Sequence, residues 1–177
     1  GEVGIGFDSN SNKVVVAFAD YGNNEYGTAV VGTVSGTSIS FGSAVLYESA
    51  IVRGNSVTFD SSNNKIVIAY QDAGNSNKGT AVVGTVSGTS ISFGTPVVFN
   101  AASTNDEAHI TFDSNSNKVV VVYSTGGQGV AKVGTVSGTS ISFGNATVFD
   151  AGQGSKMGVT FDSNSNKVVV VYTGTNN

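Results

Sequence analysis

The chain has 177 residues, a net charge of −4 and no cysteine, so disulfides and thiolate metal sites are excluded and cysteine usage gives no redox compartment. No apolar run approaches the ~20 residues that cross a bilayer as a helix, and there is no stripe of Lys and Arg to track phosphates, which argues against nucleic acid and anionic membrane surfaces as partners. Gly, Ser, Thr, Asn and Val dominate, with a single proline, methionine, histidine (His109) and arginine (Arg53), a palette for strands and tight turns.

In chain order, the sequence says nearly the same thing four times. FDSNSNK begins at Phe7, returns as FDSSNNK at Phe59 and as FDSNSNK at Phe112 and Phe161, each followed by an apolar run ending in an aromatic. Between these copies VGTVSGTSISFG stands unchanged at Val31, Val83 and Val133. The period of about 50 residues divides the chain into units of approximately 1–52, 53–105 and 106–154 with a half unit 155–177. Each full unit predicts four strands, here named A to D. In the second unit these are Val57 to Asp60, Lys65 to Tyr70, Thr80 to Val86 and Ser90 to Phe99. Strand B is apolar without interruption, as expected of a strand covered on both faces. Strand D starts with alternation, Ser38-Ile39-Ser40-Phe41, and so shows one face to a looser layer. Ser/Asn-rich turns join A to B and a Ser-Gly-Thr-Ser turn joins C to D, both hairpin signals.

Four-stranded antiparallel meanders repeating at this length predict an all-β fold, a β-propeller whose blades bury their faces by stacking on one another. Solenoids and stacked-sheet sandwiches fit less well, because each unit holds two hairpins. The segment FDSNSNKVVVVY resembles the strand-turn-strand of propellers named for their YVTN motif, and the whole unit is similar to repeats of marine phage and ocean-metagenome proteins. The resemblance covers essentially the whole chain and implies a fold and a phage, virion or extracellular surface setting; it carries over no catalytic residue. With no tryptophan, the WD dipeptide and the tryptophan-docking blade are absent.

Hairpins alternate AB, CD, AB, CD, AB, CD, AB, so the ring predicted from them is incomplete. The expectation is a soluble, self-associating chain, a dimer whose two copies share a ring, since the run KVVVVY at Lys167 to Tyr172 is an aggregation hazard with its edges open. A start at Gly1 without a secretory pattern is expected of a processed, excised or engineered chain.

The turns barely change between copies, whereas the B-to-C connections (Ala19 to Thr28, Gln71 to Thr80, Ser124 to Gly129) and D-to-A connections (Glu48 to Ser56, Asn100 to His109, Asp150 to Gly158) differ and must gather at one end of the sheets. Loops on a rigid scaffold are where binding residues concentrate, so this face supplies the candidate ligand-binding residues Asp20, Tyr21, Glu25, Tyr26, Arg53, Asp72, Lys78 and His109, for a glycan or other surface ligand. Nearly all the acids left over from the turn Asp–Lys pairs also lie there.

Chemistry-bearing motifs are weak. Asp8-x-Asn10-x-Asn12 resembles the start of a calcium loop, but Lys13 stands where glycine is required and Ala19 where the bidentate glutamate belongs; turn formation by the Asp and pairing with the lysine across the hairpin explain it better. His109 has only Asp106 and Glu107 nearby and no nucleophile elbow accompanies it, which leaves a loop histidine. Paired carboxylates such as Asp20 with Asp72 have no fixed separation. Gly27-Thr28 and Gly79-Thr80 precede strands and lack a P-loop lysine, and Asn145-Ala146-Thr147 is a glycosylation acceptor only in a secreted chain. The sequence therefore predicts a non-enzymatic binding or adhesion module with no cofactor and no metal. The alternative is a structural, recently duplicated or engineered self-assembling repeat without ligand.

Overall fold

A computed structural model describes residues 3–104, 108–152 and 154–174; Asp106 and Glu107, the acids nearest His109, lie outside them. The chain is all-β and antiparallel. Unit 1 comprises β1 (Gly4–Asp8), β2 (Lys13–Asp20), β3 (Tyr26–Ser35) and β4 (Ser38–Phe41). Then β5 (Val45–Asp60) pairs first with β3 and afterwards with β6 (Lys65–Asp72), which pairs with β7 (Lys78–Ser87). The strands β8 (Ser90–Phe93) and β9 (Val97–Ser103) both pair with β7. Unit 3 repeats this with β10 (Ala108–Asp113), β11 (Lys118–Thr125), β12 (Gln128–Ser137), β13 (Ser140–Phe143) and β14 (Thr147–Asp150). The last unit is the two-stranded sheet β15 (Ser155–Asp162) and β16 (Lys167–Thr173).

Two expectations need correction. Strand D is not one strand: it breaks after the conserved phenylalanine, where Gly42, Gly94 and Gly144 each donate a backbone hydrogen bond to the carbonyl of Val31, Val83 and Val133, and it resumes as a second segment on the same partner. The connection Glu48 to Ser56 is not a loop. It is the middle of β5, which changes partner from β3 to β6 through irregular register on both sides, between Tyr26 and Thr28 and between Arg53 and Ser56, with Gly54 at φ 60°. Bulges let one strand serve two sheets without leaving extended backbone.

The turns follow from their residues. Asp8 Oδ1 accepts from the amides of Asn10 and Ser11, and its Oδ2 accepts from the Ser11 hydroxyl at 2.6 Å; Asp60, Asp113 and Asp162 accept from their turn amides in the same way. Lys13 stands opposite Asp8 in register, but the carboxylate is satisfied by the turn. Asparagines at the fourth turn position (Asn12, Asn64, Asn117, Asn166) take φ near 55°, a left-handed conformation their side chains tolerate.

Burial in the B strands depends on position in the stack. In β6 and β11 almost every residue is buried; in β2 only alternate residues are, and in β16 none is. The reason is face-to-face stacking of the units. One core cluster joins Val15, Ala17 and Val31 of unit 1 to Ile66, Ile68 and Ile91 of unit 2, and the other joins Val67, Ala69 and Val83 of unit 2 to Val119, Val121 and Ile141 of unit 3. An aromatic pair recurs at each junction: Tyr47–Tyr70 at 5.2 Å, Phe99–Tyr123 at 5.1 Å and Phe149–Tyr172 at 5.1 Å, all steeply tilted, the geometry ring quadrupoles favour. The A strands pack in series, β1 on β5, β5 on β10 and β10 on β15. No helix of the described residues is long and apolar enough to cross a membrane.

Candidate functional site

Because A–B and C–D turns share one end of every sheet, the B–C connections and the starts of the A strands share the other. At that end, where successive A strands lie side by side, is a cavity of about 410 Å³ lined by Gly4, Ile5, Asn55, Ser56, Ala108 and His109, with Val3, Gly54 and Val57 completing it. Three strands from three units build it: β1, β5 and β10. The lining position is equivalent in each unit, four residues before the invariant aspartate of the turn, and is occupied by Gly4, Ser56, His109 and, in the half unit, Gly158. Phenylalanine and aspartate follow unchanged in all four. The repeats thus agree about the turn and differ at the cavity.

The walls are fixed by neighbouring units. Ser56 Oγ accepts from the amide of Ile110 on the next A strand at 3.1 Å. Asn55 is buried and its Oδ1 accepts from the Tyr47 hydroxyl, which couples the cavity wall to the junction of units 1 and 2. In that junction Tyr70 donates to Glu48 Oε2 at 3.0 Å. Burial, then the Glu48 charge, pushes both Tyr47 and Tyr70 far above the ordinary tyrosine value. At the next junction Phe99 and Asn100 replace Tyr47 and Glu48; Asn100 Nδ2 donates to Ala102 O at 3.0 Å and Thr104 Oγ1 at 3.2 Å, and Gln71 Nε2 donates to the Thr104 carbonyl.

The sequence candidates separate into two groups. His109 lines the cavity, half-buried on β10, so it is a strand residue and the loop expectation is corrected. The others lie outside that lining. Asp20 caps a short 3-10 turn by accepting from Gly22 N at 3.0 Å, and Asp72 caps its counterpart by accepting from Asn75 N at 3.1 Å. Lys78 Nζ donates to Asn75 Oδ1 at 3.1 Å. Glu25 has φ 59° and lies 3.7 Å from Arg53, which is in β5 and not in a loop. With both side chains partly exposed, such a pair is worth about 0–1 kcal/mol. Tyr21 is 67% exposed and Tyr26 opens β3. Asn55 and Ser56 line the cavity without being among the candidates, because a variable-loop reading of Glu48 to Ser56 singles out its charged Arg53, whereas aligning the A strands of the four copies shows the Gly/Ser/His/Gly position.

Among the described residues no group of three or more His, Asp or Glu is placed to hold a metal ion. The cavity offers an imidazole, a hydroxyl, backbone groups and aliphatic walls. No protein-family model matches the chain, and no curated protein sequence matches it.

Proposed function

We propose that the chain is a non-enzymatic binding module of the β-propeller type, with its units as blades, the A strands innermost and the cavity at their starts as the ligand site. The observation that carries this is the cavity itself: rigid strands from three units converge on a space the size of a small ligand, and its lining is where the repeats differ. Mixed walls with few polar groups suit a small neutral polar molecule such as a monosaccharide or the end of a glycan on a surface, held by hydrogen bonds to His109 and Ser56 and by apolar contact with Ile5. Repetition would raise the affinity of a weak site for a multivalent surface through avidity. The solvent-facing Tyr21, Tyr26, Glu25 and Arg53 would form an outer rim.

The test is an NMR titration with a panel of monosaccharides at millimolar concentration. Shifts confined to residues 54–57 and 108–110, lost in His109→Ala, are expected; no shift with any sugar, or shifts centred on Tyr21 and the 3-10 turns, would refute the assignment. The verbatim recurrence of VGTVSGTSISFG favours a second reading, a recently duplicated or engineered repeat with no ligand, and a silent panel would support it.

A further inference from the structure

The junctions between units show what the front of each unit is for. In unit 2, Ile91 is 3% exposed because it packs into the core shared with unit 1, and in unit 3 Ile141 is 4% exposed in the core shared with unit 2; the equivalent Ile39 of unit 1 is 45% exposed. The same contrast holds around it. Ile5, Phe7, Val34 and Phe41 are exposed, while their counterparts in units 2 and 3 pack against the preceding unit. A further depression of about 320 Å³, lined by Ile5, Gly6, Phe7 and Val14, lies on this face.

The back of the stack is open in a matching way. The carbonyl of Thr89 in the C–D turn of unit 2 rests on Gly42 of unit 1 so closely that an added Cβ would lie 1.9 Å from it, and Thr139 rests on Gly94 identically. Among the described residues nothing rests on Gly144, where an added Cβ would meet only its own unit's Val133 carbonyl at 3.7 Å. Val133 is 50% exposed where Val31 and Val83 are 0%. In the last sheet Val169 and Val171, which correspond to the buried Val67 and Ala69, are exposed.

We propose that these two open ends are halves of one interface, and that the front of unit 1 docks head to tail on a second copy of this chain at Val133, Gly144, Val169 and Val171. A second copy fits because front faces of this composition seat on back faces of this composition at both described full-unit junctions, and here the back is stepped, with Val133 and Gly144 on unit 3 and Val169 and Val171 on the half unit packed one layer beyond it. The contact is heterologous, so two copies close a ring if the rotation permits and otherwise form an open chain.

The test is light scattering on the full chain and two variants placed in solvent-exposed positions, Ile39→Glu at the front and Gly144→Leu at the back. The wild type is expected at twice 17.8 kDa or above and each variant alone at 17.8 kDa. An equimolar mixture of the two variants is expected to recover a two-chain species, because each retains the end that the other has lost. A monomeric wild type at all concentrations overturns the proposal. So does a variant that still assembles alone, which would mark a symmetric pairing such as β16 edge to β16 edge, or a mixture that stays monomeric. Thermal melting verifies folding, and Val34→Lys replaces Ile39→Glu if the latter does not fold.

Discussion

Gly42, Gly94 and Gly144 each close an identical twelve-residue segment, yet the stacking of the units makes opposite demands on them. An alanine at Gly42 or Gly94 would put its Cβ 1.9 Å from a threonine carbonyl of the following unit, where ordinary contact begins at 3.4 Å; the two units must part by about 1.5 Å, the difference of those distances. Overpacking of this kind costs about 1–3 kcal/mol, and in a domain of this size each kcal/mol lowers Tm by about 2–4 °C. Gly144→Ala meets no atom nearer than 3.7 Å and restricts the unfolded chain, so its effect is about 0.4–1 kcal/mol of stabilisation. The assay is thermal unfolding followed by circular dichroism, with all three variants in an Ile39→Glu background so that association does not contribute. Gly42→Ala and Gly94→Ala are expected to melt several degrees below the parent, and Gly144→Ala at or slightly above it. Equal melting of all three would refute face-to-face stacking, which alone gives Gly42 and Gly94 a neighbour within 2 Å of an added Cβ that Gly144 lacks.

The tyrosines at the first junction predict an alkaline transition. Their folded values are raised above the ordinary 10.0, so stability is full below pH 10 and falls as pH rises above it; Tm should drop between pH 10 and 11.5 (about a unit and a half past the ordinary tyrosine value), and a Tyr47→Phe, Tyr70→Phe double variant should flatten the drop, while tyrosinate absorbance from these two residues, read as the difference from the double variant, appearing before unfolding would contradict the burial. Separately, Tyr70→Phe should cost about 1–3 kcal/mol by leaving Glu48 without its donor, measured by urea unfolding, with Tyr123→Phe near neutral since Asn100 bonds within its own segment. At the opposite end of the pH scale, Asp162 is held below its ordinary 3.8 by the Ser165 hydroxyl and the amides of Asn164 and Ser165. For Asp113, slight burial works the other way and is outweighed by hydrogen bonds from Ser116 and Asn115. Depressed values stabilise the fold above the ordinary value, and the contribution is lost as pH falls through the folded one. NMR titration should place both carboxyls below 3.8, with Ser165→Ala raising Asp162 alone; a value at or above the ordinary one would contradict the turn geometry.

Strands and turns were legible because their signals are local. The Asp-to-Asn turns and the two-residue Gly36-Thr37 link announce hairpins in their own residues, and Val119 to Tyr123 reads as doubly covered because it is. Local signals cannot distinguish β2 from β6, since similar B-strand sequences differ in burial only by whether a unit precedes them. They also misled at Glu48 to Ser56, where Ser, Arg, Gly and Asn compose a loop by type but pair as a bulged strand between two sheets. Most of the cavity was illegible for a different reason: His109 stands out as the lone histidine, but Ser56 and Asn55 become site residues only when the A strands are laid side by side.

The central claim is that identical units stack front to back around adjoining A strands and that the open front of unit 1 is satisfied by a second copy. Electron-microscopic class averages of the wild-type assembly, viewed along the direction in which the A strands gather, test this most directly. The account predicts two copies joined front to back, in a closed ring with the A strands innermost or in an open head-to-tail chain, with the continuous unit-to-unit spacing seen inside each copy. Single chains with the face of Ile5, Phe7 and Ile39 bare to solvent would contradict it.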